Sequence, residues 1–152
     1  IKEGDTPQRL VNRGEVSEML VKLNNIEVET NLENKFSDLD EDNEYKDYIL
    51  TLNKMGILRG YEDGTFRSEK EITRAEALKI ILETTKLIEK DSERKTMTFS
   101  DVENKDWFEK YIQKAYDLEI VRGYEDGTFK PGKNISLAEM SKILDIVNNL
   151  IN

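Results

Sequence analysis

Cysteine and histidine are absent from the 152 residues. Without them the chain has no disulfide, no thiolate nucleophile, no imidazole base and none of the usual ligand sets for zinc, haem or iron–sulfur clusters, so no cofactor is expected. No apolar run approaches the roughly 20 residues of a membrane-spanning helix, and no secretory signal pattern opens the sequence. Positive charge is in the minority: 23 basic against 32 acidic side chains leave a formal net charge of −9. That balance argues against binding nucleic acid through its phosphates. With 37% hydrophobic and 36% charged residues the chain is polar, yet still able to close a core. Its length suits one compact domain or a few small units sharing an interior. A soluble domain with few options for catalysis remains, and an exported, disulfide-free bacterial protein fits that description.

What is present is a repeat. Residues 57–66 read ILRGYEDGTF and residues 120–129 read IVRGYEDGTF, an offset of 63. The same offset carries Phe36-Ser37-Asp38 onto Phe99-Ser100-Asp101 and Ile72-Thr73-Arg74-Ala75-Glu76 onto Ile135-Ser136-Leu137-Ala138-Glu139. No gap is needed between residues 36 and 88, so these two copies share one topology. A partial copy precedes them: Val11-Asn12-Arg13-Gly14-Glu15 aligns with residues 72–76, and Lys2-Glu3-Gly4-Asp5 resembles a remnant of the Glu62-Asp63-Gly64-Thr65 turn. The first half of that copy is missing, which implies trimming or processing of a parent chain.

Each full copy reads as helix, turn, helix. The first helix is predicted over about residues 45–55, with Tyr45, Tyr48, Ile49, Leu52 and Met55 on one stripe. Gly56 then falls where a left-handed cap sits. The third copy repeats the stripe with Phe108, Tyr111, Ile112, Ala115 and Leu118 but places Glu119 at the cap. Second helices are predicted to start at Asn12, Thr73 and Ser136, each followed three residues later by Glu15, Glu76 or Glu139, which makes three capping boxes. Behind the caps, Met19, Leu20 and Leu23, then Leu78, Ile81, Leu82 and Ile88, then Ile143, Ile146, Val147 and Leu150 continue apolar faces. The polar stretch around residues 89–98 reads as an exposed linker, and residues 27–35 as the equivalent joint. A helix pair of this size buries too little surface to stand alone, so the copies are expected to pack around a pseudo-symmetry axis.

A Phe-Ser-Asp start, a helix, a Gly-Tyr-x-Asp-Gly-Thr-Phe turn and a Thr-Arg-Ala-Glu helix opening, in that order, resemble the S-layer homology (SLH) domain. The resemblance covers nearly the whole chain: a partial repeat in residues 1–30 and complete repeats in 36–90 and 99–152, together one domain. It implies an all-α fold, a pseudo-threefold, three-pronged helical bundle. It further implies a non-enzymatic module at the bacterial cell surface. Such modules anchor S-layer and other surface proteins non-covalently to a peptidoglycan-linked secondary cell-wall polysaccharide, commonly pyruvylated. Their ligand grooves lie between neighbouring repeats, with the Arg of Thr-Arg-Ala-Glu at the centre.

Arg13 and Arg74 follow directly after their N-caps, where a cation opposes the helix dipole. One reading is a solvated surface Arg; the other is an anion site, in which free helix N–H groups and a guanidinium fork hold a carboxylate. Leu137 stands at the third equivalent position without charge. Arg59-Gly60-Tyr61 and Arg122-Gly123-Tyr124 offer a cation, a glycine permitting close approach and an aromatic face, although both tyrosines also suit turn-anchoring core positions. Trp107 is a natural stacking platform for a sugar or a packing residue at a helix start. The second copy has Glu44 there, where the family usually has Trp, so the groove using Arg74 and Trp107 has the fullest equipment. Asp38 and Asp101 suit helix capping, turn stabilisation or, as the resemblance implies, sugar hydroxyls. Glu15, Glu76 and Glu139 are explained by the capping box alone.

The acidic run from Asp38 to Glu44 resembles the first half of a calcium loop, but Asn43 and Ile49 occupy the positions that need Gly and Glu. A weak divalent site or a solvated helix entrance are the readings it leaves. Net negative charge does not forbid an anionic ligand, because at physiological salt charges are screened over about 8 Å while a contacting Arg is not. The competing function is a protein–protein module, assembling with other S-layer subunits through decayed glycan grooves, as Glu44 and Leu137 suggest. A glycosidase is disfavoured, since the repeated carboxylates sit at caps and turns rather than across a cleft.

Overall fold

The computed structural model describes residues 5–152. The proposed turn remnant at Lys2-Glu3-Gly4 lies outside the described residues. Those that are described form five α-helices, α1 (Arg13–Leu23), α2 (Lys46–Lys54), α3 (Arg74–Thr84), α4 (Glu109–Asp117) and α5 (Leu137–Ile151), with a 3₁₀ turn at Leu87–Glu89. Among them there is no strand, only isolated bridges, so the chain is all-α. Two compact units carry the helices. One is Val11–Glu71, in which α1 packs on α2. The other joins the segment ending at Leu10 to Ile72–Asn152, in which α3 packs on α4.

The helices that pack together therefore come from consecutive copies. In Val11–Glu71 the core is built from Val16 and Leu20 of α1 with Ile49 and Leu52 of α2. In the other unit Leu78, Ile81 and Leu82 of α3 are buried, as are Ile112 and Ala115 of α4. Met55, predicted on the α2 stripe, is 53% exposed, because α2 ends at Lys54 and the chain then turns through Gly56 at φ 75°. Glu119 adopts the matching left-handed conformation at φ 61°, although it carries a side chain.

Ile88 does not extend the α3 face. Thr84 and Thr85 turn their hydroxyls onto the carbonyls of Ile80 and Ile81, at 2.6 and 2.7 Å, which competes with the helix ladder and helps end it. Lys86 then takes φ 64°, and Leu87 rather than Ile88 is the buried residue.

The two linkers are exposed but tethered. Glu29 N–H donates to the Thr51 hydroxyl of α2 at 3.0 Å. Lys95 N–H donates to Asp117 of α4 at 2.9 Å, while Gln113 Nε2 donates back to the Lys95 carbonyl at 2.9 Å. Each joint thus runs along the helix that follows it, held by side chains of that helix.

Candidate functional site

Each second helix begins as its sequence predicts. Asn12, Thr73 and Ser136 are extended N-caps whose side chains accept from the N–H groups of Glu15, Glu76 and Glu139. The next donors are also taken. Arg13 and Gly14 donate their N–H groups to the carbonyls of Lys70 and Ser68, at 2.9 and 2.8 Å. Arg74 and Ala75 donate to Lys133 and Pro131, at 2.9 and 3.1 Å, and Leu137 and Ala138 donate to Arg9 and Pro7, at 2.8 and 2.9 Å. Every copy's helix opening is met by the segment that precedes the next copy's helix, with the third copy met by the first. The free N–H groups expected for an anion are therefore not free: a neighbouring backbone satisfies them.

The arginines after the caps are not solvated. Arg74 is 8% exposed. Its Nε donates to the carbonyl of Phe129 at 3.1 Å, and its guanidinium carbon lies 4.5 Å from the Phe129 ring centroid and 5.0 Å from that of Tyr124. Nη1 is ion-paired with Glu139. Arg13 repeats the arrangement in the other unit: Nε donates to the Phe66 carbonyl at 2.9 Å, Nη2 to the Arg59 carbonyl at 3.0 Å, and the cation lies over Phe66 and Tyr61. The cation leaves its own helix end for carbonyls and ring faces, which removes the conflict with the dipole. Leu137, by contrast, is buried at 2% exposure.

Glu139 corrects one expectation. Glu15 and Glu76 return their carboxylates to the N-cap N–H, at 3.4 and 3.3 Å, and complete capping boxes. Glu139 instead accepts from the Ser136 hydroxyl at 3.2 Å and from Arg74, with Lys133 Nζ 4.0 Å away. A buried guanidinium is a stronger partner than a backbone amide, so the third box is not closed.

The Asp-Gly-Thr turns are pinned from both sides. Asp38 accepts from the N–H groups of Phe66 and Arg67 at 2.7 and 2.8 Å, and Asp101 from those of Phe129 and Lys130, both at 2.8 Å. These carboxylates hold the turn and do not cap the helices that follow them; the N-caps of α2 and α4 are Tyr45 and Phe108, neither with a side-chain cap bond. Gly60 and Gly123 permit close approach, but of an aromatic ring: a Cβ on either would lie 2.4 or 2.2 Å from a ring carbon of Phe36 or Phe99. In the turns themselves, Asp63 and Asp126 are held below the usual carboxylate range by hydrogen bonds from the hydroxyl and N–H of Thr65 and Thr128.

Arg74, Arg122, Gly123 and Tyr124 share the lining of a cavity of about 520 Å³. Lys133 and Lys142 add two cations to it, and Glu119 and Glu139 two carboxylates. Arg122 is exposed and has no side-chain partner among the described residues. Lys133 Nζ donates to the Tyr124 hydroxyl at 3.3 Å. Four cations against two carboxylates make this concavity positive in a chain whose net charge is −9. Isoleucine and valine side chains (Ile120, Val121, Ile143) supply apolar floor.

Trp107 does not line that cavity. It is 53% exposed beside Phe108 and Tyr111, with Lys79 Nζ 5.8 Å from its ring. The structure thus brings Arg74 together with Arg122-Gly123-Tyr124 and leaves Trp107, in the turn before α4, outside that cavity. Arg59 is exposed beside Gly60 and Tyr61, in the unit that holds Arg13, and Glu44 is exposed as well. Lys133 and Lys142 escaped sequence reasoning. A signal existed: Lys70 and Lys133, like Lys79 and Lys142, differ by the repeat offset of 63. Among the described residues no cluster of three or more acidic side chains is placed to hold a metal ion, and no helix is long and apolar enough to cross a membrane.

A family model for the S-layer homology domain matches residues 35–78 and 98–141. The chain is similar to a cellulosome-anchoring protein of Acetivibrio thermocellus, 30% identical over 145 residues that cover 91% of this chain and 32% of that protein. It is also similar to a surface layer protein of Brevibacillus choshinensis, 37% identical over 93 residues (60% of this chain, 8% of that protein). Cell surface glycoprotein 1 of Acetivibrio thermocellus is 39% identical over 87 residues, 57% of this chain and 4% of that protein. The chain spans at most about a third of the length of these relatives. With two matched repeats, each carrying the pinned turn and a capped second helix, the chain belongs to the S-layer homology domain family.

Proposed function

We propose that this chain is a non-catalytic anchoring module that holds a larger protein at a bacterial cell surface by binding an anionic, pyruvylated secondary cell-wall polysaccharide. The observation that carries this reading is the positive concavity formed by Arg74, Arg122, Lys133 and Lys142 in a strongly acidic chain. Relatives named as surface layer and cellulosome-anchoring proteins support the anchoring role. A pyruvate ketal suits the cavity chemically, because it offers a carboxylate to the cations and a methyl group to the apolar floor. Tyr124 adds a ring face and a hydroxyl for the sugar. Exposed Trp107 supplies a second platform for a polymer long enough to leave the cavity.

The test is binding of purified wall polysaccharide to the native chain and to Arg74→Ala and Arg122→Ala. Arg122 is exposed, so its removal leaves folding intact and isolates the charge. Each variant is expected to bind at least several-fold more weakly, and mild acid removal of the ketal should abolish the difference. Unchanged affinity in both variants refutes this site.

A further inference from the structure

Among the three Thr/Ser/Asn-capped helices, only the third fails to return its glutamate to the backbone N–H of its cap. The carboxylate it withholds is placed on Arg74, at the wall of the cationic cavity. Guanidinium has two edges that grip a carboxylate with paired N–H groups, Nε–Nη2 and Nη1–Nη2. On Arg74 the first edge has Nε committed to the Phe129 carbonyl, and the second has Nη1 committed to Glu139. Nη2 alone donates to nothing among the described residues. The Phe129 carbonyl belongs to a turn pinned by Asp101 and cannot easily withdraw. The Glu139 side chain, 28% exposed, can.

We infer that Glu139 is a built-in competitor for the ligand carboxylate: it occupies Arg74 in the empty site and must be displaced when an acidic sugar docks. This rests on the anchoring reading above and adds a specificity-determining residue to it. In the empty site Glu139 keeps a buried guanidinium paired. On binding, one carboxylate replaces another on Nη1, so only ligands that bring their own negative charge recover what the exchange costs. Displaced Glu139 retains two nearby partners, the Ser136 hydroxyl and Lys133 Nζ, at 3.2 and 4.0 Å, together with the cap N–H that its counterparts Glu15 and Glu76 already use. Neutral sugars should therefore be refused at this position, and acidic ones held less tightly than the cationic lining alone would permit.

The experiment is calorimetric titration of the native chain, Glu139→Gln and Arg74→Ala with a hexose glycoside bearing a 4,6-pyruvate ketal, alongside its methyl ester. Glutamine keeps the shape but loses the charge, and a neutral acceptor competes for a guanidinium about half as strongly. Glu139→Gln is expected to bind the free acid about tenfold more tightly and the ester no more tightly than the native chain does. An unchanged or weaker affinity for the acid, with Arg74→Ala still abolishing it, overturns the inference and leaves the anchoring site standing. Failure of the native chain and Glu139→Gln alike to bind the acid overturns both. Should Glu139→Gln not fold, NMR of the native chain decides: the Glu139 carboxyl carbon must shift as the acid saturates, and a stationary signal overturns the exchange.

Discussion

The guanidinium of Arg74, in the second copy, is seated on the ring of Phe129 in the third, 4.5 Å from its centroid, with Nε bonded to that residue's own carbonyl. Arg13 is seated on Phe66 in the same way, at 4.4 Å. The Arg that opens one copy's helix is thus a structural bolt into the turn of the next copy before it is anything else. Its position, and that of the cavity beside it, depends on how firmly the turn is held.

That dependence predicts the effect of Asp101→Asn. The carboxylate accepts two backbone N–H groups, and an amide would present a donor to one of them. A loss of about 1 kcal/mol is expected for one broken charge-assisted bond at the exposed Lys130 N–H, which water can then meet. Urea unfolding monitored by circular dichroism should show the midpoint fall, and amide exchange at Lys130 should accelerate.

Glu119→Gly is expected to stabilise the chain. Glu119 holds φ 61°, where a side chain is strained and glycine is not, and glycine stands at the equivalent position 56. The gain is about 0.5–1 kcal/mol, reduced by glycine's greater freedom in the unfolded chain. Its ion pair with Lys95 contributes little, since the Glu119 side chain is 81% exposed. A rise in melting temperature checks this; a fall would mean that the pair outweighs the backbone.

Alkaline pH should destabilise the unit that contains α3 and α4. Burial, aided by its 2.5 Å hydrogen bond to Glu83, pushes the Tyr111 hydroxyl from 10.0 up to about 12. A raised folded pKa means that the stabilisation is complete below pH 10 and is lost as pH climbs toward 12. Melting temperature followed across that window should drop for the native chain and less steeply for Tyr111→Phe, which has no proton to lose.

At the acid end the signs reverse. Asp63 and Asp126 have depressed pKa values, so their contribution is present above the ordinary value of 3.8 and fades as pH falls below it. Both are exposed, and the change expected is local loosening of the turn rather than unfolding. The amide resonances of Thr65 and Thr128 should titrate together below pH 3.8, with midpoints lower than those of unbonded aspartates.

Much of the architecture was legible residue by residue. A cap bond spans three positions, so Asn12, Thr73 and Ser136 announced their helices without help from the rest of the chain. Left-handed conformations at Gly56, Gly64 and Gly127 depend on the residue itself and its immediate turn. Met55 and Ile88 were misplaced because periodicity marks an apolar face but not where a helix stops. Left-handed residues at 56 and 86 made that decision.

The sequence by itself determined the repeat, the helix starts, the turns and the family, since each follows from interactions within a few residues or from identity between copies. Tertiary structure alone decided what the side chains meet. Glu139 lies 65 residues from the Arg that it meets in place of its cap's backbone N–H. Trp107, paired with Arg74 on the strength of the family resemblance, has Lys79 Nζ 5.8 Å from its ring, a neighbour that no local pattern announced. Partners so distant along the chain are chosen by packing, where the strongest available donor or the nearest face prevails over local preference.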